Sequence, residues 1–140
     1  MNILITLNAN YIKPLKVMLW SLFFNNPDQS FNIYLLHSSL MDEELYGLYR
    51  YVDQYGQKLF AITMQGKYFE DAPVVLHYTK EMYYRLLAYK FLPADIDKIL
   101  YLDPDILIIN PIVELYDTQL FSYLYAAAYH NAVPIKEINR

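Results

Sequence analysis

The sequence predicts an α/β fold built on a mostly parallel sheet. Short apolar runs of strand length recur along the chain, and between them apolar residues return every three or four positions. Strands that alternate with helices pair in parallel through crossover connections, with helices covering the sheet. An aspartate pair directly after one apolar run marks the end of such a sheet where ligands bind.

The elements follow in order. Residues 2–7 (NILITL) read as a short buried strand. Leu15, Met18, Leu19 and Leu22 then keep helical spacing, with Asn10 as an upstream cap, Pro14 tolerated in the first turn and Asn25-Asn26-Pro27-Asp28 as the stop. Residues 31–37 (FNIYLLH) form a second strand. Ser39-x-x-Asp42 has the form of a capping box, and Leu45, Leu48, Tyr49 and Val52 give the next helix its inner stripe. A third strand covers 58–64, followed by a turn at Gly66. Thr79 caps a helix that reaches Leu92, with Tyr84, Leu87, Ala88 and Phe91 inward and Pro93 ending it. A fourth strand spans 98–102 (KILYL), followed by Asp103-Pro104-Asp105 and a further apolar run at 106–109 that continues in strand form. Residues 123–128 (YLYAAA) read as one more strand.

Composition narrows the function. In 140 residues, 56% are hydrophobic and 19% charged, which supplies one packed core and excludes a disordered chain. The net charge of −4, without any run of Lys or Arg, lacks the footprint of a nucleic-acid binder. Cysteine is absent, so neither a disulfide framework nor a thiolate metal site is available. The opening residues lack the basic and long apolar regions of a signal peptide. Lys16, Asp103 or Asp105 interrupts the longest apolar stretches, so none approaches the ~20 residues of a transmembrane segment. Sixteen tyrosines offer flat faces for sugars or bases, although a general tyrosine bias accounts for most of them.

Asp103 and Asp105 carry the chemistry. In extended backbone, residues two apart project to one side, so both carboxylates would point into one small volume. Their repulsion is relieved by a hard divalent cation, Mn²⁺ or Mg²⁺, which accepts carboxylate and phosphate oxygens together. The spacing itself discriminates poorly: nine aspartates in a chain this long produce an Asp-x-Asp by chance in roughly half of such chains. A second pair, Asp95-Ile96-Asp97, reads as a solvated turn. The pair at 103 and 105 differs in having apolar strand-like runs on both sides, where acids are costly unless paired or coordinated. A solvent-facing turn around Pro104 is the bland alternative, and the residues alone leave both open.

The stretches Tyr83-Tyr84-Arg85-Leu86, Leu92-Pro93 and Asp97-Lys98-Ile99-Leu100-Tyr101-Leu102-Asp103-Pro104-Asp105 resemble glycosyltransferase family 8, which includes lipopolysaccharide galactosyl- and glucosyltransferases and glycogenin. The opening strand, Thr6-Leu7-Asn8-Ala9-Asn10-Tyr11 and the helix with Ser21-Leu22 match too, so the likeness spans essentially the whole chain. It implies a GT-A-type, Rossmann-like nucleotide-diphospho-sugar transferase fold. It also implies transfer of galactose or glucose from a UDP-sugar to a saccharide or other hydroxyl acceptor with retention, in polysaccharide biosynthesis. By the same resemblance Asp103 and Asp105, with Pro104 between them, bind Mn²⁺ (or Mg²⁺) and the donor diphosphate. Thr6, Asn8, Asn10 and Tyr11 form the first nucleotide-binding loop, with Tyr11 on uracil, and Asn8 stands where some members carry Asp. Arg85 contacts the donor, and His77 falls where some members touch the acceptor.

Each residue has a plainer reading. Arg85 follows Glu81 by one helical turn, Tyr11 can pack under the first helix, His77 can be structural, and Asn10 can be only a cap. Two other classes compete: a haloacid-dehalogenase-like phosphatase, whose aspartate pair should instead follow the first strand, and a non-catalytic sugar-nucleotide-binding module. The resemblance further implies that residues 1–140 are the nucleotide-sugar-binding portion of one catalytic domain, cut short at its carboxyl end. From this follow expectations of weak nucleotide binding, negligible transfer by this segment alone, and self-association as a homodimer through the truncated surface. A cytoplasmic location, with any attachment to the inner face of the membrane supplied by other segments, is expected as well.

Overall fold

A computed structural model describes residues 1–64, 68–69 and 81–128. Four strands, β1 (Asn2–Thr6), β2 (Asn32–His37), β3 (Lys58–Thr63) and β4 (Leu100–Tyr101), form one sheet in the order β3-β2-β1-β4. Every pairing is parallel, with Ile3 opposite Ile33 and Leu100, and Leu4 opposite Tyr34 and Tyr101. Helices α1 (Ile12–Phe24) and α2 (Asp42–Asp53) connect the first three strands, and α3 (Glu81–Tyr84) and α4 (Val113–Tyr116) are single turns.

The strands bury residues on both faces, and the two-residue side-chain period sorts them. Ile3, Ile5 and Leu7 of the first strand region, Ile33 and Leu35 of β2, and Leu102 pack with Leu15, Met18, Leu19 and Leu22 of α1 and Leu48 and Val52 of α2. Their neighbours Leu4, Tyr34 and Leu36 face the other way and pack with Met64, Tyr84, Ala88 and, at the margin, Tyr101. Each of these aliphatic side chains contributes about 1.5–3 kcal/mol when fully buried.

Helix α2 carries Asp42, Glu43 and Glu44 in its first turn and Arg50 in its last, which suits the helix dipole. Its cap position is Met41, whose N–H is met by Glu44 Oε2 at 2.9 Å, so the expected box from Ser39 to Asp42 does not form. At α1 the predicted cap shifts as well. Asn8, rather than Asn10, accepts a backbone N–H and caps a short 3₁₀ turn over Ala9–Tyr11, which leads into the helix. The helix predicted to reach Leu92 is α-helical only over Glu81–Tyr84 and continues as 3₁₀ helix over Arg85–Lys90. Its inward residues Tyr84 and Ala88 are buried as expected. Thr79 and Gly66 lie outside the described residues.

Two predicted strands are not strands. Residues 106–109 run along the carboxyl end of α1, where their polar backbone is taken by side chains instead of a neighbouring strand. Ile108 N–H donates to Ser21 Oγ at 3.0 Å, Ile108 O accepts from Asn25 Nδ2 at 2.8 Å, and Ile112 N–H donates to Asn26 Oδ1 at 2.8 Å. Three polar residues at the end of an otherwise apolar helix thus redirect the chain. Residues 123–128 lie exposed, with no strand beside them among the described residues. No described helix is long and apolar enough to cross a membrane.

His37 closes β2 and is buried. Its Nδ1 accepts the Leu40 N–H at 3.3 Å, and its Nε2 lies 3.4 Å from Thr63 Oγ1. Burial lowers the imidazole pKa below its usual value. Between the native and unfolded values the unfolded chain holds the extra proton, so the stability this neutral imidazole confers is full above about pH 6.5 and lost as pH falls through that window. Thermal unfolding at about pH 7.5 and about pH 5.5 should show a lower midpoint in acid, with a smaller drop in His37→Gln. An equal drop in both proteins would refute the assignment.

Candidate functional site

Strand order decides where a ligand can sit. From β1 to β2 to β3 the chain moves one way across the sheet, and right-handed crossovers place α1 and α2 on one face. The chain then returns past β1 to lay down β4, and the intervening helical segment packs on the opposite face. The direction reverses between β1 and β4. In doubly wound sheets the crevice for ligands opens beyond the carboxyl ends of the strands at that point. Thr6 ends β1, and Asp103 follows β4 by two residues.

The two strand ends are hydrogen-bonded to one another. Leu102 N–H donates to Leu4 O at 3.0 Å, which extends the β1–β4 pairing by one step. On the face away from α1, Tyr101 Oη lies 2.7 Å from Asp103 Oδ1 and 3.4 Å from the buried Thr6 Oγ1. The Arg85 guanidinium rests over the Tyr101 ring, 5.1 Å from its centroid. Thr6, Arg85 and Asp103, three residues named separately from the sequence, therefore converge on a fourth that was not. Tyr101 is two residues from Asp103 in a strand, and that spacing was the available signal. Burial, followed by its bond to Asp103 and that carboxylate's charge, raises the phenol pKa against the opposing influence of Thr6 and Arg85. The hydroxyl keeps its proton.

Asp103 and Asp105 are exposed around a turn whose Pro104 is buried. The burial cost inferred from flanking strands does not apply, because 106–109 is not a strand and the acids face solvent. Placement at the sheet's carboxyl end is what distinguishes the pair. Among the described residues Asp105 has no hydrogen-bond partner, and Asp103 has one at Oδ1 and none at Oδ2. Two carboxylates with open oxygens suit a hard divalent ion that retains water ligands. Among the described residues no third His, Cys, Asp or Glu joins them. Asp95 and Asp97 are exposed near a turn, as expected.

The 3₁₀ turn after β1 carries the rest of the predicted loop. Asn8 Oδ1 accepts the Asn10 N–H at 3.0 Å, and the Asn10 side chain is exposed. Tyr11 is half-buried, with its ring against the core beneath α1. No hydrogen bond among the described residues joins this turn to Asp103 or Asp105. Glu81 accepts a hydrogen bond from Ser38 Oγ at 3.0 Å. His77 lies outside the described residues. An open depression of about 440 Å³, lined by Lys16, Gly47, Arg50, Tyr51, Asp53 and Gln54, lies along the far end of α2 rather than at these strand ends.

Known proteins share this fold. The family described as Glycosyl transferase family 8 matches residues 2–138. Glycosyltransferase GlyF of Streptococcus pneumoniae is 25% identical over 126 residues, which cover 90% of this chain and 31% of GlyF. The crystal structure of galactosyltransferase LgtC with donor and acceptor sugar analogues superposes with a TM-score of 0.79 at 26% identity, over 86% of this chain and 44% of LgtC. The glycosyltransferase GlyE of Streptococcus pneumoniae, at 23% identity and a TM-score of 0.65, covers 86% of this chain and 27% of its own length and shares the fold. The architecture is the expected GT-A type. This chain spans less than half the length of each of these relatives.

The turn after β1 depends on the Asn8 side chain. Asn8→Ala should cost about 0.5–1.5 kcal/mol in urea unfolding, whereas Asn8→Asp keeps an acceptor for the Asn10 N–H and should stay close to the parent. Equal losses in both variants would show that the bond does not hold the turn.

Proposed function

The chain belongs to glycosyltransferase family 8, and from that premise we propose that it forms the nucleotide-sugar-binding portion of one GT-A catalytic domain. In this reading the domain transfers galactose or glucose from a UDP-sugar to a saccharide or other hydroxyl acceptor, with metal dependence and retention of configuration. The observation that carries the reading is the Asp103–Asp105 turn at the point where strand order reverses, with Asp103 joined through Tyr101 to Thr6 at the end of β1 and Arg85 over the same Tyr101 ring. LgtC, similar over most of this chain, is a galactosyltransferase solved with donor and acceptor analogues.

The roles follow from charge and shape. Asp103 and Asp105 hold a divalent cation, Mn²⁺ or Mg²⁺, through hard oxygens and leave it room for diphosphate oxygens. Bound there, such an ion supplies Lewis-acid neutralisation of the leaving diphosphate. Arg85 adds a fixed positive charge at the same strand ends. Asn8 and Asn10 present polar groups to the nucleotide, and the half-buried Tyr11 offers its ring to uracil. The aspartate pair follows the last strand of the sheet rather than the first, which argues against a haloacid-dehalogenase-like phosphatase.

Calorimetric titration of UDP with and without Mn²⁺ tests the site. Asp103→Ala and Asp105→Ala should each abolish the Mn²⁺-dependent part of UDP binding and leave the circular dichroism spectrum unchanged. Metal-dependent affinity that survives in both variants would remove the assignment. Metal-dependent UDP binding with no transfer to any hydroxyl acceptor would favour a non-catalytic binding module.

Tyr11 separates stacking from packing. Tyr11→Ala should weaken UDP by ~1–3 kcal/mol, the range of other base–aromatic contacts, while Tyr11→Phe keeps the ring and should bind as the parent does. If UDP affinity is unchanged in both, the residue serves only the core beneath α1.

A further inference from the structure

The hydrogen bonds around Tyr101 have a forced direction. A carboxylate only accepts, so the 2.7 Å contact to Asp103 Oδ1 uses the phenol's single proton. Tyr101 Oη then has only lone pairs left, so at 3.4 Å the Thr6 hydroxyl is the donor. The chain runs Thr6 to Tyr101 to Asp103, from the buried end of β1 out to an exposed acid. The ring is held between sheet and solvent by the Leu4 and Tyr84 cluster on one side and the Arg85 guanidinium on the other. Among the described residues Asp103 has no other hydrogen-bond donor and Asp105 has none.

We propose that Tyr101 is a positioning residue for the metal site: its hydroxyl holds Asp103 Oδ1, so that Asp103 meets the cation through Oδ2, while its ring seats Arg85 over the same strand ends. The proposal rests on the metal-binding reading of Asp103 and Asp105 given above, and adds that the pair is asymmetric. Asp103 arrives pre-oriented by the sheet, and Asp105 is free to turn. A ligand carboxylate fixed by an outer hydrogen bond loses little freedom on binding, and deleting such outer partners weakens metal affinity about 10–100-fold. The two functions of Tyr101 are also separable. Phenylalanine keeps the ring beneath Arg85 and removes only the donor; leucine removes both.

The test uses the intact protein. Mn²⁺ binding is read from the electron paramagnetic resonance signal of free Mn²⁺, and UDP binding without metal is read by calorimetry. Tyr101→Phe should weaken Mn²⁺ about 10–100-fold, alter the resonance of the bound ion, and leave metal-free UDP affinity as in the parent. Tyr101→Leu should lose Mn²⁺ to the same degree and weaken metal-free UDP as well, because Arg85 is no longer seated. Thermal midpoints recorded alongside separate these effects from unfolding: a Mn²⁺ loss in a folded Tyr101→Phe supports the proposal. If the parent binds Mn²⁺ and Asp105→Ala loses it, yet Tyr101→Phe keeps parental affinity and an unaltered bound-ion signal, the positioning role is overturned and the metal site stands. If the parent binds no Mn²⁺, with or without UDP, both the metal reading and this proposal fall.

Discussion

Strand β1 is hydrogen-bonded on both edges and packed on both faces, and the remaining geometry depends on that double engagement. Its pairing with β2 sets the register that carries α1 onto one face, and its pairing with β4 sets the register that brings Tyr101 opposite Leu4. Only a strand with no solvated face tolerates the run Ile3-Leu4-Ile5, in which successive residues enter opposite cores. The amino end of β1 is anchored as well. Asn2 N–H donates to Tyr116 Oη at 3.1 Å, and Tyr116 Oη donates to Lys98 O at 3.1 Å, which ties α4 and the approach to β4 to the same strand. A slip of β4 by one residue would turn Tyr101 away from Thr6 and place Leu102 in its position.

That register matters because the site is built from strand ends and has few other supports. The acids at 103 and 105 are solvated around a buried Pro104, and the second stands without a protein partner among the described residues. Tyr101 ties Asp103 to a buried threonine on one side, and an arginine lies over its ring. In the proposed reading, exposed carboxylates suit a cation that must also accept ligand oxygens and release them. A cage of buried acids would bind the ion more firmly and leave less room for phosphate.

Much of this was legible from residue order. The strands at 2–7, 31–37 and 58–64 were readable because apolar runs of that length, bounded by Asn, Pro or Gly, have few alternatives in a chain with this much apolar material. The inner stripe of α1 was readable from its spacing, and Leu15, Met18, Leu19 and Leu22 are all buried. Residues 106–109 misled because an apolar run says nothing about what its backbone bonds to. Ser21, Asn25 and Asn26, more than eighty positions earlier, supply those partners. Residues 123–128 misled for the same reason: strand composition does not make a strand without a neighbour, and among the described residues none lies beside them. Both caps shifted by two positions: Asn8 and Asn10 offer the same side-chain acceptor and only the backbone path chooses between them, while at Met41 the bond comes from Glu44 rather than from the cap residue's side chain.

By itself the sequence determined the α/β class, the parallel sheet, the family likeness, and the candidacy of Thr6, Arg85, Asp103 and Asp105, because periodicity and short motifs are local properties of the chain. The tertiary structure decided that β4 returns to the far side of β1, that the aspartates face solvent, and that one tyrosine joins Thr6, Arg85 and Asp103. The β1–β4 pairing and the Thr6–Tyr101 contact join residues about 95 positions apart, and the others depend on which face of a strand looks outward. Such relations arise when the chain closes on itself to bury both faces of one strand.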